Sequence, residues 1–269
     1  MLYNAKNCRL PIGNTYMDYI SFGKGAETLI ILPGLGDGLK TVKGVALPFA
    51  FMYRKLAKKY KVYVFSRKNE LENDCTTETM ADDLSFAMDS IGINKAHVLG
   101  VSMGGMIAQY LAIKYPEKVN KLILAATVAR SNDKIKSTIT DWLDMAARND
   151  HKALMIDNVE RIYTEAYIRK KHYRMMYPFV SKISKPKSYE RFILQAKACM
   201  NHDAYEGLAN VTSPTLVFAG GEDKILGADE SIEPKSLIKN SQLILYKALG
   251  HGLYEEAPGF LDDILLFLS

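Results

Sequence analysis

The sequence predicts a doubly wound α/β fold: a mostly parallel central sheet with helices on both faces, interrupted by an inserted block of helices. Three observations predict it. Short, uninterrupted apolar runs alternate with helical patterns over most of the chain, as expected of strands buried between helices on both faces. The runs stop between about Val128 and Asn210 and then resume, which marks an insertion. The length, 269 residues, falls between one and two domains of about 150 residues each, and a core carrying a large insertion accounts for that. The expected boundaries are 1–127 and 211–269 for the core and 128–210 for the inserted helices.

Taken in order, Thr15–Phe22 alternates, with Tyr16, Tyr19 and Phe22 set among polar residues. It is expected to pair antiparallel with Cys8–Ile12 at one sheet edge. The central strands are expected at Leu29–Leu32, Val62–Phe65, Ala96–Leu99, Leu122–Ala125, Thr215–Phe218 and Leu243–Tyr246. Helices are expected at Pro48–Tyr60, Thr77–Ser90, Met103–Tyr115 and Pro258–Leu268. In the second of these, Met80, Leu84, Ala87, Met88 and Ile91 recur at helical spacing, with Asp82, Asp83 and Asp89 elsewhere. Within the insertion, helices are predicted over Ile135–Ala147, Ala153–Lys170 and Tyr189–Met200, with a break at Lys185-Pro186-Lys187.

Composition narrows the function classes. The chain is 48% hydrophobic and 24% charged, the balance of a soluble globular protein. It is long enough to bury a core without disulfides or a structural metal. A formal charge of +5, from 35 basic and 30 acidic residues dispersed along the chain, does not point to a nucleic-acid partner. Cys8, Cys75 and Cys199 are odd in number and far apart, which argues against a disulfide framework or a metal or redox pair. The start carries no apolar run, so no signal peptide is expected. The longest mostly apolar stretch, Val45–Tyr53, contains Pro48 and is half a membrane span. A cytoplasmic protein with no membrane partner is the expectation.

The strongest chemical signal is Gly100-Val101-Ser102-Met103-Gly104-Gly105, set between a strand and a helix. A serine there sits on a sharp turn, and residues two before and two after it approach closely, so glycine is needed at both. The turn lifts the hydroxyl to the carboxyl edge of the sheet, at a helix N-terminus that favours developing negative charge. A nucleophilic serine needs a base, and the base needs an orienting group. Of five histidines, His97 begins a strand and His151, His172 and His202 lie in the insertion. His251, flanked by Gly250 and Gly252 after the last strand, is the candidate base. Asp223 follows the strand ending at Ala219 and is the candidate acid, with Glu222 as its competitor.

An oxyanion site is expected at Pro33-Gly34-Leu35-Gly36-Asp37-Gly38, after the first central strand. The backbone N–H groups of Leu35 and Met103 are its candidate donors. A dinucleotide loop is disfavoured because Leu39 occupies the third glycine position, and no phosphate-binding loop pattern occurs.

With the order Ser102, Asp223, His251, a serine elbow and an early glycine loop, the chain resembles the α/β-hydrolase superfamily. It looks most like the small capped esterase, lactonase and haloperoxidase-type members. The resemblance implies Ser102 as nucleophile, His251 as base, Asp223 as its orienter and the insertion as a cap. Aspartate-elbow dehalogenases and most epoxide hydrolases do not fit Ser102. Two departures stand out. Pro33-Gly34 replaces the His-Gly of many relatives, and Phe65-Ser66-Arg67-Lys68 stands where an Asp-x-Arg-Gly segment is common.

The insertion is rich in aromatic and thioether side chains, among them Met155, Met175, Tyr177 and Phe179. Trp142, Met145, Tyr163, Tyr167 and Met176, with Tyr254 beyond His251, are the candidate lining of an apolar, adaptable pocket. The expected activity is hydrolysis of an ester, thioester or lactone of a small, mainly apolar acyl substrate through an acyl-enzyme, with no cofactor or metal. Acyl transfer, a lyase reaction, or a ligand-binding sensor with slow turnover are alternatives the same residues allow. Both a monomer and a homodimer are compatible with the sequence.

Overall fold

The computed structural model describes residues 2–180 and 185–269. Eight strands form one sheet: β1 (Lys6–Ile12), β2 (Thr15–Phe22), β3 (Glu27–Leu32), β4 (Tyr60–Lys68), β5 (Ala96–Val101), β6 (Val119–Ala125), β7 (Thr215–Gly220) and β8 (Ser241–Tyr246). Their spatial order is β1-β2-β4-β3-β5-β6-β7-β8. The β1–β2 and β2–β4 pairs are antiparallel, and every later pairing is parallel. The edge hairpin forms as predicted, in a register that sets Cys8 against Tyr19 and Ile12 against Thr15.

The uninterrupted apolar runs have a simple cause. Successive side chains of a strand point to opposite faces, and here both faces are covered. Ile30, Leu32, Val98, Leu122, Leu124 and Val217 enter one core, and Leu29, Ile31, Leu99, Ile123, Leu216 and Phe218 enter the other. Burying each such side chain contributes about 1.5–3 kcal/mol.

Around the sheet lie α1 (Ala46–Met52), α2 (Arg54–Ala57), α3 (Thr77–Ser90), α4 (Met103–Lys114), α5 (Asp133–Ala147), α6 (His151–Ile162), α7 (Glu165–Lys170), α8 (Tyr173–Val180), α9 (Glu190–Met200), α10 (Ala228–Leu237), α11 (Leu253–Glu256) and α12 (Phe260–Leu268). The first core takes Met80, Leu84 and Met88 of α3 with Ile107 and Leu111 of α4. The second takes Ala50 of α1, Leu56 of α2 and Phe260 and Ile264 of α12.

Two predicted helices differ from what forms. The helix expected over Pro48–Tyr60 starts at Ala46, breaks at Tyr53 (φ −95°, ψ 26°) and gives up Tyr60 to β4. The one expected over Ala153–Lys170 ends at Ile162, because Tyr163 is extended (φ −103°, ψ 155°). Thr164 then caps α7 by accepting a hydrogen bond from the Tyr167 amide. Helices α8, α10 and the short α11 were not expected. The Lys185-Pro186-Lys187 break does lie between α8 and α9.

Helices α5 to α9 all lie between β6 and β7. The chain enters and leaves this region side by side. Arg130 bridges Asp203, the Ala204 amide donates to Ala129 O at 2.8 Å, and the Ser131 amide donates to His202 O at 2.8 Å. Among the described residues no helix is long and apolar enough to cross a membrane.

Candidate active site

Chain order and spatial order diverge at the centre of the sheet. From β3 the chain moves to β4 on one side, and from β5 it proceeds to β6, β7 and β8 on the other. The crevice outside the carboxyl ends of β3 and β5 is such a switch point, where α/β sheets bind ligands. The Pro33–Gly38 segment follows β3 and Ser102 follows β5, so both face that crevice.

Ser102 is the N-cap of α4 and holds φ 52°, ψ −120°, a region costly for a residue with a Cβ. Close packing imposes the turn. A Cβ on Gly100 would sit 2.5 Å from both Gly104 O and Gly105 Cα, and one on Gly104 would sit 2.0 Å from Leu32 O. All these neighbours are backbone, so no flexible side chain could give way.

The structure brings Ser102, His251 and Asp223 together from three strand ends. Ser102 Oγ lies 3.0 Å from His251 Nε2, and His251 Nδ1 lies 2.8 Å from Asp223 Oδ2. The other Asp223 oxygen, Oδ1, accepts the Ile225 and Leu226 amides, each at 2.8 Å. Burial, the largest influence on Asp223, would raise its pKa. It is outweighed by the charge and hydrogen bond of His251 and by the two amides, which together hold the carboxyl below its ordinary value. An ionised Asp223 requires the proton on His251 Nδ1, which leaves the Nε2 lone pair free to accept from Ser102. The competitor Glu222 is exposed to solvent.

The other histidines lie elsewhere. His151 Nδ1 pairs with the Tyr189 hydroxyl at 2.9 Å, His202 Nδ1 with the Thr77 hydroxyl at 2.9 Å, and His97 sits edge-on to Tyr60. His172 lies just past α7.

Leu35 opens a 3-10 turn (Leu35–Gly38), and Met103 is the first residue of α4. An amide at the first position of a helical turn has no partner within it, so both N–H groups are available to a ligand. Gly34 keeps this turn close to the serine: a Cβ there would meet Ser102 Cβ at 3.3 Å.

A cavity of about 530 Å³ opens over Ser102 and His251. Of the predicted lining, Trp142, Tyr163 and Tyr254 are present, and Met145, Tyr167 and Met176 are not. Met145 packs against the core instead. Tyr167 stacks behind Tyr163 with ring centroids 5.1 Å apart. Met176 is 49% exposed on α8. Sequence reasoning did not assign to the wall Val45, Phe49, Met52 and Tyr53 around α1, or Ile135 and Ile139 of α5, or Val159 and Ile162 of α6. The spacing i, i+4, i+7 of Ile135, Ile139 and Trp142, and of Met155, Val159 and Ile162, was the available signal. The acidic and basic residue types in the lining are Asp37, Lys40, His251 and Glu255, and Glu255 accepts a hydrogen bond from the Tyr163 hydroxyl at 2.8 Å. Among the described residues no group of three or more His, Cys, Asp or Glu is arranged to hold a metal ion.

Fold and site together define the class: the chain belongs to the α/β-hydrolase fold family, whose pattern its residues 27–258 match. It is 24% identical over 250 residues to RutD of a Caulobacter species, a protein named as a carbamate hydrolase, covering 90% of this chain and 91% of that one. It is 23% identical over 269 residues to a 2-hydroxy-6-oxononadienedioate/2-hydroxy-6-oxononatrienedioate hydrolase of Paraburkholderia xenovorans, covering 96% and 92%. The enol-lactonase from Burkholderia xenovorans has a similar structure, with a TM-score of 0.82 at 19% identity over 97% of this chain and 99% of that one.

Proposed function

We propose that the protein is a serine hydrolase that cleaves an ester, thioester or lactone of a small, mainly apolar acyl substrate. The observation that carries this reading is the continuous relay from Asp223 Oδ2 through His251 to Ser102 Oγ. His251 Nε2 takes the hydroxyl proton as Ser102 Oγ attacks the carbonyl carbon. The carbonyl oxygen becomes an oxyanion held by the Leu35 and Met103 amides. His251 then returns the proton to the leaving group, and the acyl group remains on Ser102. Water, activated by the same imidazole, releases the acid and restores the serine. Both steps use the same Nε2 lone pair of His251 as the proton acceptor.

The substrate class rests on the cavity wall, where most lining side chains are apolar and Phe49, Tyr53, Trp142, Tyr163 and Tyr254 supply aromatic surface. Helices α5 to α9 act as the cap over it. Two relatives are named as hydrolases of a carbamate and of an oxo-diacid, and the structurally similar protein is named an enol-lactonase; each of those substrates carries a carbonyl carbon, which supports carbonyl chemistry here.

The test is turnover of nitrophenyl esters across a range of acyl chain lengths, combined with labelling by a fluorophosphonate probe. Ser102→Ala is expected to abolish both. Labelling that persists in this variant would overturn the assignment of the nucleophile.

A further inference from the structure

The Leu35 turn is gripped by a helix of the insertion, and the grip runs through Arg191. Asp37, two residues after Leu35, is fully buried between two guanidinium groups, Arg67 of β4 and Arg191 of α9. Arg191 Nη2 donates to Asp37 Oδ2 at 2.5 Å and to Arg67 O at 3.0 Å, and its Nη1 donates to the Asp37 carbonyl. Its Nε reaches Lys68 O at 3.2 Å. From the core side, Arg67 Nη2 donates to Pro33 O at 2.6 Å, and the Arg67 amide donates to Asp37 Oδ2 at 3.1 Å. The carbonyls of Pro33 and Asp37 bracket the turn, and each is held by a different arginine. Beside this, α9 touches the end of the turn directly: a Cβ on Gly38 would lie 2.8 Å from Phe192 Cα.

From this geometry we propose that Arg191 is a positioning residue for catalysis, which fixes the Leu35 amide at the oxyanion site by docking α9 onto the turn. This rests on the serine-hydrolase reading above and extends it. A planar guanidinium that donates to four oxygens of three residues restrains the turn in both translation and rotation. Electrostatics act in the same direction. Two guanidinium groups around one carboxylate leave a buried net positive charge next to the place where the oxyanion forms. The donor is therefore correctly placed only while the insertion is seated, so closure of the pocket and assembly of the oxyanion site are one event. An oxyanion donor matters more to the transition state than to the bound ester, so its misplacement should appear in kcat rather than KM.

The experiment compares Arg191→Lys, Arg191→Ala and Gly38→Ala with wild type on a nitrophenyl ester. It also measures binding of a boronic acid, which forms a tetrahedral anionic adduct with serine. Expected are a fall in kcat of about tenfold or more, KM within about twofold, and a matching loss of boronic-acid affinity. Guanidinium ion added to Arg191→Ala should restore part of kcat, whereas Gly38→Ala, whose α9 is displaced by backbone, should not be rescued. Arg191→Lys keeps the charge and loses the fork, so it carries the test if Arg191→Ala does not fold. Arg169→Ala, which removes an exposed arginine paired with Glu165, is the control and should retain wild-type kcat. Unchanged kcat in a folded Arg191→Lys, or a loss confined to KM or to the melting temperature, overturns the proposal. Failure of the serine reading is separately visible, as turnover that survives Ser102→Ala.

Discussion

At the scale of single residues, Ser102 shows how a strained backbone angle persists. A residue with a Cβ at φ 52°, ψ −120° costs on the order of 1–3 kcal/mol, and the close approach of Gly100 and Gly104 to their neighbours leaves no other path. That was legible in the sequence, since only glycine fits where two backbones nearly touch. So were His251 and Asp223, each just after a strand. The preference for Asp223 over Glu222 has a physical basis in the structure: Asp223 is buried with its two oxygens on His251 and on two amides, while Glu222 faces solvent. Asp223→Asn should keep the fold but allow the wrong imidazole tautomer, lowering kcat by about 10³–10⁴. Steady-state kinetics with a circular-dichroism check of folding would test this, and a loss under tenfold would count against the role of Asp223. Arg191 was not legible, because its partners lie 123 to 154 residues away and an arginine amid ordinary helix residues carries no local mark.

At the scale of elements, periodicity located α3, α4, α9 and α12 to within a few residues but ran two pairs of helices together. In both pairs, α1 with α2 and α6 with α7, the break falls at a tyrosine, Tyr53 and Tyr163, whose type does not disfavour helix strongly enough to announce it. After the second break Thr164 starts α7, its hydroxyl accepting from the Tyr167 amide. The start of α3 is a clearer case. Thr76 accepts from the Thr79 amide at 3.0 Å, and the Thr79 hydroxyl lies 2.9 Å from the Thr76 amide, forming a reciprocal capping box. Thr76→Ala should destabilise the protein by about 1 kcal/mol and leave kcat unchanged, because α3 supplies no wall of the cavity. Denaturant midpoints at constant slope would measure it, and an unchanged midpoint would show that the cap contributes nothing.

At the scale of the whole molecule, His202 ties the neck of the insertion to the helices beneath it. Its backbone carbonyl accepts the Ser131 amide, and its ring lies between Thr77 of α3 and Gln109 of α4. Burial lowers its pKa to about 4, against about 6.5 for an unfolded imidazole. Between those values the unfolded chain binds the proton and the folded one does not. Stability therefore falls as pH drops from about 6.5 to about 4, by on the order of 3 kcal/mol in total, and this contribution changes no further below that window. Denaturation midpoints from pH 7.5 to 4.5 should show that decline, and His202→Gln should flatten it. An equal decline in the variant would remove His202 as the cause. Asp37 and Asp223, both held below the ordinary carboxylate value, act in more acidic solution, where protonating them removes their share of stability. The sequence by itself determined the α/β class, the sheet's apolar strands and the glycine-flanked turn that carries Ser102, because strand burial and tight turns each leave a local pattern. Only the tertiary structure decided which insertion side chains reach the cavity and that Arg191 clasps the Leu35 turn. Those contacts depend on how separately folded segments dock, and docking geometry is set by the packing of whole elements rather than by the spacing of residues within one.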